Sequence, residues 1–361
     1  MKNEESPSRA GIKEIARALG ISIGTVDRAL HNRPGISPTT RAQVLKMADR
    51  LNYRPNVVAR SLKLNRQLRI GVRLPREIAA FFDPLRDGIR SAAERTVGVN
   101  LDLDFKTYPH IGKGDVELLE SDADRHFDGL IVTPGDPGRF DPIIRSFAAR
   151  GTPVVCVASD APRSGRIAAV TVDAEISGGI AAELFARTLR EPGCVAIVTG
   201  DLSTKDHADK LRGFAATLAT IAPHLSLLPA IETHDVPQDA RRTTLTLLER
   251  RQRPAAIYIS TANSLPVLRA LDDQGALKDV LVVATDLFPE LVPFLESGRI
   301  LATLYQRPFA QGKAAAEALV HHLLERATPN AITRFAPHIV LRSNLPLFLD
   351  RVPRGDPFGR V

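Results

Sequence analysis

Two places in the chain could do acid–base or metal chemistry. His207 lies between Asp206 and Asp209, and His321 is followed directly by His322. Imidazole beside carboxylate titrates near neutrality and binds metals readily. The surroundings support neither use. The stretches 210–221 and 313–324 read as helices, and adjacent histidines on a helix point away from each other. No nucleophile–base–orienter set is visible. There is no CxxC pair, no HExxH and no Walker lysine motif. Cys156 and Cys194 each sit in an apolar, strand-like run, the setting of buried, reduced thiols. The expectation is a protein that binds rather than turns over, with no cofactor and no metal.

Charge says what one end binds. Residues 1–64 hold 12 Lys/Arg against 5 Asp/Glu, while the whole chain carries +7. The rest therefore sums to zero, and the excess positive charge sits where it would meet a polyanion such as a phosphate backbone.

The elements that must carry that charge are helical. Ile15, Ala16 and Leu19 give one apolar face of a short helix. Gly20 supplies a turn, and Ser22 can cap a second helix with Val26, Ala29 and Leu30 on its buried side. Ser37 and Pro38 open a third as N-cap and first residue, with Val44, Met47, Ala48 and Leu51 as its core stripe. Two short helices joined by a Gly-containing turn match the helix-turn-helix, whose second helix enters the major groove. Any small three-helix bundle shows similar stripes, and only the charge separates the two readings.

From Ile12 to Leu62 the chain resembles the DNA-binding headpiece of the lactose-repressor/galactose-repressor (LacI/GalR) family of bacterial transcription regulators. The matching residues are Glu14-Ile15-Ala16, Gly20-Ile21-Ser22, Thr25-Val26, Arg28-Ala29-Leu30, Ser37, Thr40-Arg41 and Tyr53 through Leu62. The resemblance implies that Ile23, Gly24 and Arg28 take base-reading places, and Ser22, Thr25, Ser37 and Thr40 phosphate-contacting ones. It extends the contact set to His31 and to Asn56, Ala59, Arg60 and Leu62 of a hinge helix. About eight residues are too few for a helix stable alone in water. The resemblance implies that this one folds when two copies meet over DNA, with Leu62 wedged into the minor groove. An ordinary linker is the plain alternative. Gly24 lacks a side chain where relatives often carry a polar one, and Asp27 adds negative charge. Arg28 is then the main direct reader, as a bidentate donor to guanine.

Beyond residue 67 the pattern changes to apolar strands alternating with helix-length stretches. Strands are expected at 70–74, 101–105, 129–133, 153–157, 168–172, 195–199, 256–260 and 280–285, with helices at 85–96, 140–149, 176–190 and 210–221. Such alternation predicts doubly wound α/β architecture, and more than six parallel strands fit two lobes better than one. This part resembles the ribose-binding type of periplasmic sugar-binding protein, which the family's regulators share. The carrying landmarks are Phe81-Phe82-Asp83-Pro84-Leu85 with Gly88, placed in the first strand-to-helix loop, then Asp128-Gly129-Leu130-Ile131, Thr171-Val172-Asp173, Gly178-Gly179, Ala262-Asn263-Ser264, Val283-Ala284-Thr285-Asp286, and Gln306 with Gly312.

The expected organisation is a helix-turn-helix headpiece over 1–51 and a hinge and linker over 52–67. One lobe spans 68–172 plus 307–334, the other 173–306 plus 335–350, and a tail follows at 351–361. Ligands of open α/β sheets bind where strand C-termini meet at a switch point. The resemblance places Phe82 on a sugar ring and Asn263, Asp286 and Gln306 on hydroxyls, with Asp83 and Asp160 joining them. Lys210 stands where relatives often have arginine, and binds as a point charge rather than a planar fork. Arg163 and Arg166 could grip a sugar phosphate, against the plainer reading of loop charge.

The chain has no run of 18 apolar residues, and Met1-Lys2-Asn3-Glu4-Glu5-Ser6 has no apolar signal core. A cytoplasmic, non-membrane protein is expected. The function that follows is a homodimeric transcription regulator, a repressor, on a pseudo-palindromic operator. Its control is a sugar, polyol or sugar phosphate bound between the lobes. The alternative, resting on Gly24 and Asp27, is a cytoplasmic sugar sensor that does not bind DNA.

Overall fold

The computed structural model describes residues 11–30, 34–51 and 67–349. The expectations for His31, for Asn56, Ala59, Arg60 and Leu62 of the hinge, and for the tail lie outside the described residues. The chain forms two compact units, the second beginning at Gln67.

In the first unit, α1 (Ile12–Leu19), α2 (Ile23–Leu30) and α3 (Pro38–Arg50) close on a core of Ile15, Ala16, Val26, Ala29, Val44 and Ala48. Local chemistry sets the boundaries. Gly20 ends α1 in the left-handed region at φ 63°, where a β-carbon would be strained. The Oγ atoms of Ser22 and Ser37 accept from the backbone N–H of Thr25 and Thr40, each at 3.1 Å, and so cap α2 and α3.

The second unit is built on two sheets. The first contains β1 (Gln67–Pro75), β2 (Asn100–Tyr108), β3 (Gly129–Val132), β4 (Val154–Val157), β5 (Ala168–Val172) and β12 (Ile332–Phe335), in the order β12-β5-β4-β3-β1-β2 and all parallel. The second orders β13 (His338–Val340), β11 (Ala302–Tyr305), β10 (Leu281–Thr285), β9 (Ala256–Ile259), β6 (Gly193–Thr199) and β7 (Leu225–Leu227), with β8 (Ile231–Glu232) also on β6 and β13 antiparallel. Strand side chains alternate between two cores. Ile70, Val72, Ile131 and Val155 face one side of the first sheet, while Leu130, Val132, Val154 and Cys156 face the other. Both faces are covered, the condition for an all-parallel sheet. This is the doubly wound, two-lobed architecture expected.

The chain passes between lobes after β5, after β11 and between β12 and β13, so Asp173, Gln306-Arg307 and Ala336-Pro337 lie at the crossings. Each lobe holds one very close helix pair: α4 (Ala79–Glu94) with α7 (Pro308–Glu325), and α5 (Ala174–Thr188) with α6 (Lys205–Ile221). Reciprocal glycines allow the approach, Gly88 and Gly312 in the first pair, Gly178 and Gly213 in the second.

Two local expectations are corrected. Phe81 to Leu85 are not loop but the first turns of α4, which begins at Ala79 and runs through Pro84. Helix α6 begins at Lys205, capped by Thr204, so Asp206, His207 and Lys210 share its first two turns.

Candidate functional site

In the headpiece, burying Val26 and Ala29 turns the opposite side of α2 outward. Ser22, Ile23, Gly24 and Arg28 are exposed there, and Thr25 and Asp27 half-buried. Ile23 keeps 51% of its surface exposed on that side. Arg28 folds back across the gap left by Gly24, its Nε donating to the Gly24 carbonyl at 3.1 Å. The hydroxyls of Ser22 and Thr25 pair at 2.8 Å, as do those of Ser37 and Thr40, presenting oxygens at two helix N-termini. Such termini attract phosphate.

The second candidate lies between the lobes, at the C-terminal ends of the strands. A non-glycine residue with left-handed backbone follows each of several strands: Ile78 after β1, Ala158 after β4, His234 and Asp235 after β8, Asp286 after β10, and Arg307 after β11. Strained residues of this kind collect at ligand sites. An inner chamber of about 40 Å³ is lined by Ile78, Phe81, Phe82, Thr204, His207, Lys210, Asp235, Thr261 and Gln306, among others. An outer chamber of about 360 Å³ joins it through Ala158, Ser159 and Asp206, which line both. The outer space is of ligand size; the inner one is nearer that of a water or two.

One polar chain runs through the inner chamber. Lys210 Nζ, almost wholly buried, donates to Asp206 Oδ2 at 2.7 Å and Gln306 Oε1 at 2.9 Å. Gln306 Nε2 donates to Asp286 Oδ2 at 2.7 Å, and its backbone N–H to Asp286 Oδ1 at 2.9 Å. The α6 helix is thereby tied to the loop after β10 and to a crossing between lobes. Beside it, Thr261 Oγ1 donates to Asp235 Oδ1 at 2.5 Å. Two buried polar atoms of the lining have no protein partner, Ser159 Oγ and Asp206 Oδ1. Buried polar atoms are nearly always satisfied, so unmet ones grouped around a cleft point to a polar ligand.

Burial pushes the Asp286 carboxyl up to about 6, against the pull of the Gln306 amides. A folded-state value above the unfolded one means stability is greatest at low pH and is lost as pH rises from about 4 to about 6. At about 1.4 kcal/mol per unit this is roughly 3 kcal/mol. Asp286→Asn should remove that dependence. The stability gap between the two proteins, measured by urea unfolding, should then change by roughly 3 kcal/mol between about pH 4 and 7. A gap that stays flat with pH would reject the assignment.

The structure brings Phe82, Lys210, Asp286 and Gln306 together, Phe82 edge-on to Phe81 with ring centroids 4.9 Å apart. Asn263 stands next to Thr261 and Ala262 of the lining, outside the lining itself. One expectation needs correction. Asp83 is on the exposed side of α4, its carboxylate paired with Arg86 at 2.5 Å, and does not line the cleft. Asp160 lines the outer chamber, but Arg166 takes both its oxygens and also donates to Ala331 O at 2.7 Å. That pair clamps a loop to the strand next to it, and its two charges are already matched to each other. Sequence reasoning missed Ser159, Asp235 and Thr261, and saw Asp206 and His207 only as weak acid–base candidates. The His207 ring is instead held at the cleft wall, its Nδ1 accepting from the Asp201 N–H at 3.0 Å.

A solvent-facing helix-turn-helix ahead of a two-lobed cleft defines a DNA-binding regulator with a ligand-binding domain. Comparison with known proteins agrees. Residues 11–56 match the family described as bacterial regulatory proteins, lacI family, and residues 70–327 match the periplasmic binding protein domain. Catabolite control protein A of Priestia megaterium is 25% identical over 349 residues, 92% of this chain and 98% of its own length. The HTH-type transcriptional repressor PurR of Vibrio atlanticus is 25% identical over 342 residues, 93% of this chain and 98% of its own. Among solved structures, a glucose-galactose binding protein from Geobacillus stearothermophilus superposes with a TM-score of 0.70 at 23% identity, covering 78% of this chain and all of that one. A Bacillus halodurans solute binding protein with bound myo-inositol gives 0.70 at 18% identity, over 79% of this chain and 98% of its own. The chain belongs to the periplasmic-binding-protein domain family, in the form that carries a lacI-family regulatory domain at its N-terminus. It is a DNA-binding transcriptional regulator. No helix of the described residues is long and apolar enough to cross a membrane.

Proposed function

We propose that the protein is a cytoplasmic, homodimeric repressor whose hold on a pseudo-palindromic operator is set by a small carbohydrate-like effector in the interlobe cleft. It acts by binding, without turnover. Residues 52–66 serve as the linker between reader and sensor, one residue shorter than expected because Gln67 already belongs to β1. The observation that carries the reading is the outward face of α2, where Ile23, Gly24 and Arg28 are exposed on the domain that holds the chain's excess positive charge. Two copies are needed because one recognition helix reads only a half-site. The repressor sense follows the names of the relatives above, and the carbohydrate class follows the sugars and polyol named for the structural neighbours.

Coupling requires that the effector bind one arrangement of the lobes better than another. The chain of bonds from Asp206 to Asp286 ties the second lobe to Gln306 at a crossing between lobes, so a ligand that competes for Lys210 or Gln306 changes how that crossing is held.

A gel-shift titration with DNA from upstream of the gene, at two salt concentrations and with and without effector, tests the reading. Specific binding with a steep salt slope and an effector-dependent midpoint is expected. Loss of specific binding on every candidate operator would leave a sugar sensor without DNA. Arg28→Ala should weaken specific binding by about 1–3 kcal/mol if the guanidinium reads a base. An unchanged ratio of operator to random-DNA affinity would reject that role.

A further inference from the structure

Taking the cleft as the effector site, as proposed above, its charge arrangement narrows what the effector can be. The cations that line it are nearly all held by resident carboxylates. Lys210 is paired with Asp206 at 2.7 Å, Lys205 with Asp209 at 2.7 Å, and Arg212 with Glu175 at 3.0 Å and Asp209 at 2.9 Å. The Arg166 beside them is occupied by Asp160. The remaining lining cation, Arg334, is exposed at the outer edge on β12.

A phosphate could instead seat on a helix N-terminus. Two of the helices that begin at this cleft, α5 and α6, are already served by the protein's own oxygens, while α4 opens onto the small inner chamber with no side-chain cap. Asp173 caps α5, its Oδ1 accepting from the Ile176 N–H at 3.1 Å, and Glu175 follows in the first turn. Thr204 caps α6, and Asp206 follows there. At α5 and α6 an incoming phosphate or carboxylate would meet these carboxylates, and the α4 terminus faces a space nearer the size of a water or two. The groups that do lack partners suit hydroxyls. Asp206 Oδ1 accepts, and Ser159 Oγ accepts or donates; both are buried and unmatched. Asp235 adds a further buried carboxylate to the wall, and Phe82 an apolar ring.

We propose that the interlobe cleft takes an uncharged polyhydroxylated molecule and discriminates against its phosphorylated and carboxylated counterparts. Hydroxyl protons are donated to Asp206, and the molecule's own oxygens accept from Ser159 and from Lys210 as its ammonium turns from Gln306.

The test is calorimetric titration of the intact protein with glucose, ribose and myo-inositol, set against glucose 6-phosphate, ribose 5-phosphate and glucuronate. At least one neutral compound should bind, and its anionic counterpart should bind at least about tenfold more weakly, since close like charges cost that much or more. Asp206→Asn should narrow the gap, because Lys210 then lacks its counter-charge. An anion that binds the wild type as tightly as its neutral parent, or a panel in which no neutral compound binds, overturns the proposal. The gel shift is read separately. A neutral compound that binds but leaves operator affinity unchanged counts against control by the effector and leaves the charge selection standing.

Discussion

Replacing Asp122 by alanine should lower stability by about 3–5 kcal/mol, the usual result of stranding a buried charge. Asp122 is fully buried, and its carboxylate accepts from Arg73 Nε, from Arg125 Nη1 at 3.0 Å and from Lys106 Nζ at 3.5 Å. Arg73 itself is 1% exposed on β1, one strand in from the edge of the first sheet, its guanidinium 5.1 Å from the centre of the Phe127 ring. Without Asp122 it keeps only longer or backbone partners at Asp104 and Val72. Burial works to raise the Asp122 carboxyl, but the Arg73 hydrogen bond and charge outweigh it and hold the group below its ordinary range. A depressed value contributes stability at neutral pH that is lost on acidification, opposite in sign to Asp286. Urea midpoints should show the loss. Arg73→Met with Asp122→Leu should recover most of it, because the desolvation penalty leaves with the pair. Removing Glu183, exposed and paired with Arg187 one turn along α5, should change stability by less than about 0.5 kcal/mol. A loss at Asp122 no larger than at Glu183 would contradict this account.

Gly178→Ala should cost on the order of 3 kcal/mol and weaken effector binding with it. A β-carbon at Gly178 would lie 2.0 Å from the Lys210 carbonyl oxygen and 2.7 Å from the Phe214 nitrogen. Both are backbone atoms, so no rotamer change relieves the clash, and α5 and α6 must part. The loss exceeds the gain of roughly 1 kcal/mol that alanine normally brings to a helix interior. Since α6 carries Asp206, His207 and Lys210, its displacement disturbs the cleft directly. Gly179→Ala is the control, because the nearest atom to its β-carbon is the Thr217 side-chain hydroxyl at 3.1 Å, which can turn. Thermal and urea unfolding of the two variants, with titration of a bound effector, measures the difference. Equal losses at positions 178 and 179 would show that the close helix contact does not matter.

What was legible in the chain follows the range of the interactions. The headpiece was read nearly whole. The Gly20 turn, the Ser22 and Ser37 caps and the stripe of Val26, Ala29, Val44 and Ala48 all act within a few residues. Most central strands were legible because both of their faces are buried, which leaves continuous apolar runs such as Val154–Val157; β11 was missed, being four residues long with Thr303 and Tyr305 breaking the apolar run. The edge strands β7, β8, β12 and β13 were missed as well, being two to four residues long and partly exposed. The start of α4 was missed because Ile78, in left-handed conformation, gives no capping signal and Pro84 reads as a breaker.

By itself, then, the sequence determined the architecture, the charged end that meets DNA, and several residues of the cleft. Those properties depend on local capping, apolar patterning and charge count, all additive along a chain. Only the tertiary structure decided which polar groups in the cleft remain open. Lys210 meets Gln306 across 96 residues, Asp235 meets Thr261 across 26, and Arg166 pairs with both oxygens of Asp160. A carboxylate looks the same in sequence whether it faces a ligand or an arginine, and its role is set by which partner reaches it first in space.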